Sequence, residues 1–331
     1  MHTYSNKYST WFLPLNNKQK KNYERLESLV LSFNQNFKEE VIRAKDKYNQ
    51  TIRNAISEKT GLSLTTKHIV VNNKFIDSKE TAAIPIKIVD VVPSSLLTLF
   101  ENFDDHHIEL LLHYKRLTNA YRELGFQIDN YKRFSEFHNE IYDIKTLENS
   151  QKHIHRLLQE IEASGILGAI KSLGPDLLGA YFLNNNNVEL YWVSIGLCNI
   201  LFDLPVEEFT IIVLTHELVH GYTHIGFDKD GHNWDTEHFD NTDLRIVEGF
   251  AQLYTELICR DYFEHASKSF DVLLERQSVE YTTYKEWFRE KEYDIYEKSR
   301  RALLDTRNKR IFDYGAFMDN LVRIKESFDS Y

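Results

Sequence analysis

His216-Glu217-Leu218-Val219-His220 sets two imidazoles four residues apart with a carboxylate between them, and Glu248 follows in a later apolar stretch. On an α-helix, positions i and i+4 project from one face one turn apart, so the two rings can converge on a single divalent cation. Glu217 sits beside His216 around the helix. It is badly angled to bind the same ion but well placed to reach a water held there. Zn²⁺ lowers the pKa of a bound water towards neutrality, and a neighbouring carboxylate can take its proton as the water attacks a carbonyl carbon. The chemistry open to these four residues is metal-assisted hydrolysis, with His216, His220 and Glu248 as ligands and Glu217 as general base.

The spacing alone arises by chance in roughly one chain in twenty of this length, so the surrounding elements decide its weight. The motif lies in a predicted helix with Asp203 as N-cap, Pro205 in the first turn, Glu207 and Glu208 at the positive helix end, and a stop at Gly226. Ile211-Ile212-Val213-Leu214 and Leu218-Val219 make that helix largely buried. Burying His, Glu and His together without a partner is costly, and a metal removes the cost. Ahead of the helix, β-rich runs at 178–183 and 188–195 flank Asn184-Asn185-Asn186-Asn187, which predicts a hairpin or two sheet strands. After it, a polar loop spans 226–242. Thr242 or Asn241 then caps a second helix with an apolar stripe of Leu244, Val247, Ala251, Tyr254 and Ile258.

Glu248 lies on that second helix, where Gly249 and Ala251 permit close packing against the first. His224 reads as a cation at the first helix's C-terminus, with an alternative ligand or substrate contact as the other options. Asp243 reads as a helix cap or as a second-shell partner for a ligating His. Asp228-Lys229-Asp230-Gly231 lacks the bidentate Glu of a Ca²⁺ loop and reads as a polar turn.

A third-His pattern would need Gly at 223 and His at 226, where this chain has Thr223 and Gly226. The two elements instead resemble the gluzincin group of zinc metallopeptidases, in which a Glu on a second helix, often in an E-G-x-A context, completes a His₂Glu site. Here that context is Glu248-Gly249-Phe250-Ala251. The match is close over 205–256 and loose over 180–260. The resemblance implies an α+β, predominantly helical fold, with a zincin-like core of a small β-sheet and two active-site helices between N- and C-terminal helical regions. It implies zinc-dependent hydrolysis of peptide bonds, with a peptide or protein substrate. The strand at 188–195 would then be the sheet edge beside the cleft, against the alternative of an ordinary core strand. Tyr254, Tyr281 and Tyr284 are the candidates for an oxyanion donor. Two rival readings stand: a helical interaction or regulatory protein whose zinc site is structural or inactive, and a zinc hydrolase acting on a non-peptide amide or ester. A fourth side-chain ligand such as His224 or His238 would mark a structural site.

The rest of the chain houses this kit. With 331 residues, 42% apolar and 27% charged, it has the profile of a globular protein with a sizeable core. A net charge of −10 argues against nucleic-acid or acidic-membrane partners. Met1 to Lys7 lack the apolar run of a signal peptide, and no stretch reaches transmembrane length, which makes a cytoplasmic location the expectation. Cys198 and Cys259 read as buried free thiols. A long helix is predicted over 17–58 with Gly61 as its stop, extended segments over 66–92, and two or three helices over 94–163. Gly165, Gly168, Gly174, Pro175 and Gly179 mark a change of character, so 1–150 reads as a mostly helical N-terminal region and 151–331 as the metallopeptidase region with its C-terminal helices.

Overall fold

The computed structural model describes residues 16–65, 69–71, 74–76, 82–134, 141–171, 177–288 and 294–329; Met1 to Lys7, Gly174 and Pro175 lie outside them. The expected single N-terminal helix is two. Asn16 and Gln19 form a reciprocal capping box that starts α1 (Asn17–Phe33). The helix then stops because Asn34 turns extended and its side chain accepts from the Asn36 N–H, an alternative to helical bonding that Asn readily offers. A second helix, α2 (Phe37–Thr60), ends at Gly61, whose φ of 73° is the left-handed cap that glycine adopts without strain.

Two short strands, β1 (Ile69–Val71) and β2 (Lys74–Ile76), pair antiparallel, and β3 (Ile86–Val89) follows. Three helices occupy the next stretch as the spacing predicts: α3 (Ser94–Glu101), α4 (Asp105–Phe134) and α5 (Ile141–Ser164), with a short α6 (Ile166–Lys171) beyond. The Asn turn closes an antiparallel hairpin of β4 (Gly179–Phe182) and β5 (Asn187–Tyr191). Residues 192–195, expected as strand, are already helical in α7 (Trp192–Phe202).

The sheet order is β3-β5-β4, with β3 parallel to β5. That order corrects the expected edge. Val188 lies in the central strand, and the edge next to the motif helix is β4.

Asp203 likewise does not start the motif helix. It closes α7 in a left-handed conformation, φ 52°, and pairs with Lys115 at 2.6 Å. Pro205 is the N-cap of α8 (Val206–Ile225), which ends at Gly226 as expected. Every residue of α8 from Phe209 onward is buried. A helix apolar on all sides must be enclosed on all sides, and α8 is wrapped by α2, α7, the β4–β5 hairpin and two later helices. Arg307 pins the loop that leaves it, donating to the Gly226 and His232 carbonyls at 2.7 and 2.9 Å.

A one-and-a-half-turn α9 (Thr236–Asn241) precedes α10 (Leu244–Tyr262). Neither Asn241 nor Thr242 caps α10. Asp243 does, accepting from the Arg245 N–H and pairing with the Arg245 guanidinium at 2.6 Å. The C-terminal part is helical as expected: α11 (Glu264–Leu274), α12 (Val279–Thr282) running into a 3₁₀ turn (Thr283–Glu286), α13 (Ile295–Asn308) and α14 (Tyr314–Asp329). Cys198 and Cys259 are buried free thiols whose pKa burial pushes up to about 12. No helix among the described residues is long and apolar enough to cross a membrane.

Candidate metal centre and active site

α8 and α10 pack side by side at the centre of the molecule, and their contact brings the four predicted residues together. His216 and His220 stand one turn apart on α8 with ring centroids 4.7 Å apart and planes at 86°. Their Nε2 atoms lie 3.1 Å from each other. Oε2 of Glu248 lies 3.2 Å from Nε2 of His216 and 3.3 Å from Nε2 of His220.

The three donor atoms thus form a nearly equilateral triangle. A tetrahedral zinc with ligand bonds near 2.0–2.1 Å requires donor-to-donor edges of about 3.3 Å, so the triangle fits that ion as it stands. Among the described residues this is the one cluster of three or more His, Cys, Asp or Glu groups that could hold a metal ion.

The electrostatics agree with the geometry. Glu248 is 1% exposed. Burial pushes its carboxyl pKa up, but the imidazoles of His220 and His216 outweigh that and hold it well below the usual carboxylate range. The His216 pKa is lowered too: burial disfavours its charged form, and neighbouring His220 adds to the effect against the pull of Glu248. Lowered pKa values at Glu248 and His216 favour the deprotonated donors that metal binding requires.

The fourth site residue, Glu217, is buried and lines a small pocket together with His216. Leu178, Ile212, Val213, Phe270, Leu273, Gln252 and Gln277 complete the walls around His216 and Glu217, leaving a cavity of about 30 Å³. Gly179 of β4 is seated against the Cγ of Glu217.

The secondary candidates separate cleanly. His224 is no helix-end cation: burial lowers its pKa to about 4, and its two ring nitrogens lie 3.0 Å from the Tyr181 hydroxyl and 2.9 Å from the Thr236 hydroxyl. Those contacts point it away from a ligand role. His238 is buried between Trp234 and Phe312, with ring centroids 5.6 and 4.3 Å away. Asp228 accepts the backbone N–H groups of Asp230 and His232, both at 2.9 Å, which is the polar turn rather than a cation loop.

Of the three tyrosines, Tyr254 is stacked on Phe250 in the core, and Tyr284 donates to Glu256 at 2.7 Å. Tyr281 is the one beside the centre, its ring centroid 6.1 Å from that of His216. Gly249 also has a different neighbour from the expected one: its missing side chain makes room for Trp287 of the C-terminal region, whose ring would lie 2.4 Å from a Cβ there.

Sequence reasoning missed the pocket. Gln252, four residues after Glu248 on the same helical face, carried a signal in its spacing; Phe270, Leu273 and Gln277 carried none. Searches of family models, curated proteins and solved structures for similarity to this chain returned no match.

Proposed function

We propose that the chain is a zinc-dependent hydrolase of peptide bonds, built on a zincin-like core of the β3-β5-β4 sheet, α8 and α10. The observation that carries this reading is the donor triangle of His216, His220 and Glu248, with the neighbouring Glu217 lining an adjacent pocket. These three residues would hold the ion. Bound there, zinc would supply Lewis-acid activation of a water and of the carbonyl under attack.

Glu217 accepts the proton of the attacking water on its carboxylate and returns it to the departing amine nitrogen. Tyr281, whose ring centroid lies 6.1 Å from that of His216, would be the phenol that donates to the oxygen on which charge develops. In β4, the pairing register turns the backbone N–H and C=O groups of Gly179 and Tyr181 away from β5. An extended peptide can pair with that outer edge.

The structural-zinc alternative finds less support, because no fourth protein ligand joins the cluster among the described residues and a closed zinc site takes four. Hydrolysis of a small amide or ester keeps the same residues in the same roles. The narrow pocket favours it as the second reading, and substrate profiling separates the two.

The direct test is Glu217→Gln. The variant should bind zinc as the wild type does, by metal analysis, while hydrolysis falls by about 10²–10⁴-fold. Unchanged hydrolysis would overturn the proposal.

A further inference from the structure

We propose that this site selects substrates with a small, uncharged side chain next to the scissile bond, and that Phe270 and Leu273 set the size limit. The inference rests on the hydrolytic reading above and adds to it what the substrate must look like.

His216 and Glu217 line the pocket, so a group that enters it lies beside the carbonyl under attack. Leu178, the residue before β4, is part of the same lining. A peptide paired along the β4 edge is led directly to it. A buried water needs roughly 10–15 Å³, so a cavity of about 30 Å³ takes two or three water-sized groups. That accommodates the side chains of Ala, Ser, Thr and Val, and it falls short of Leu, Phe, Lys and Arg.

Charge is selected against as well. Ile212, Val213, Phe270 and Leu273 make the walls mainly apolar. The polar end is a carboxamide pair, Gln252 donating to Gln277 at 2.9 Å, which carries no net charge. An acidic side chain would lose its hydration there and face the Glu217 carboxylate.

The limit is held by a braced wall. Phe270 and Leu273 lie three apart on one face of α11, and both are buried. Ser269 of the same helix hydrogen-bonds Glu208 at the start of α8, and Gln277 is tied to Gln252 on α10. A larger side chain must therefore displace packed structure rather than a loose loop.

The test uses the full chain loaded with zinc and a peptide library varied at the residues flanking the cleaved bond, with products identified by mass spectrometry. Peptides with Ala, Ser, Thr or Val on one side of the bond should be cut with kcat/KM at least tenfold above their Leu, Phe, Lys or Asp counterparts. Leu273→Ala should raise kcat/KM for the Leu peptides at least tenfold and leave the Asp peptides poor; Phe270→Leu serves the same purpose should the first variant fold badly. Calorimetric binding of uncleaved peptides to zinc-loaded Glu217→Gln should show the same order by side-chain size, with the penalty on the Asp peptides reduced because the carboxylate is gone. Cleavage and binding indifferent to side-chain size, or a preference unmoved by both wall variants, would overturn this inference alone. No cleavage of any peptide by the zinc-loaded wild type would overturn it together with the peptidase reading.

Discussion

At Gly179 the sheet edge packs against the motif helix. A Cβ on that residue would sit 2.9 Å from Cγ1 of Val213, 3.1 Å from the Glu189 carbonyl oxygen and 3.2 Å from Cγ of Glu217. Two of those neighbours belong to a packed helix and one to the backbone of β5, so none yields easily. Gly179→Ala should displace Glu217 while leaving the donor triangle alone. The expected result is normal zinc content with kcat lowered about ten- to a hundredfold, since small misplacements of a reacting group are costly. An alanine variant with wild-type kcat would show that this contact does not position the base. His216, Glu217 and His220 were legible in the sequence because helical spacing dictates which side chains share a face. Glu248, on a separate helix, was legible through its E-G-x-A context and the resemblance it carries. Gly179 was legible only as one of the Gly and Pro residues that mark a change of character in the chain. Its closeness to Glu217 depends on which strand forms the edge, and alternation patterns do not settle strand order. The choice of Tyr281 over Tyr254 and Tyr284 has the same origin: all three sit in helical sequence, and only tertiary packing separates them.

Among the elements, β4, α8 and α9 are joined through one side chain. His224, on α8, meets Tyr181 of β4 and Thr236 of α9, and burial holds its ring neutral with a pKa of about 4. In the unfolded chain the ring titrates at its ordinary value near 6.5. Between these two values the unfolded state binds the proton and the folded state does not. The contribution of His224 is therefore fully present above pH 6.5 and is lost as the pH falls, by about 3 kcal/mol at pH 4. Urea unfolding of the wild type and of His224→Gln, both without metal, should show the wild type losing about 3 kcal/mol more than the variant between pH 7 and pH 4. Parallel pH profiles would count against a buried neutral His224. Element boundaries were read less well than element types. Asp203 is a good capping residue, but it is used to stop α7, because the strand run at 188–195 conceals a helix from Trp192 onward. The break at Asn34–Asn36 was likewise hidden behind a continuous apolar periodicity.

For the whole molecule, an ion at His216, His220 and Glu248 would cross-link α8 to α10 at the centre of the core. Zinc bound to the folded chain and not to the unfolded one should stabilise it by about 4 kcal/mol at a thousandfold excess over Kd. Thermal scans should show Tm rising by several degrees with zinc and falling back with a chelator, and Glu248→Ala should abolish the rise. A Tm indifferent to zinc would remove the basis of the metal reading. The overall class, mostly helical with a small sheet, follows from composition and periodicity. The topology does not: β3 comes from early in the chain, yet it pairs parallel with β5, and α2 lies along α8. Nothing local in either segment announces its partner. Those two contacts bear on heredity and engineering. The H-E-x-x-H segment and Glu248 could be copied into another protein in a single short piece of gene, but the piece would arrive without the strand that flanks its sheet or the helix that covers its motif. This centre does not travel as a cassette. A graft of it would have to carry the segments that form β3 and α2 as well.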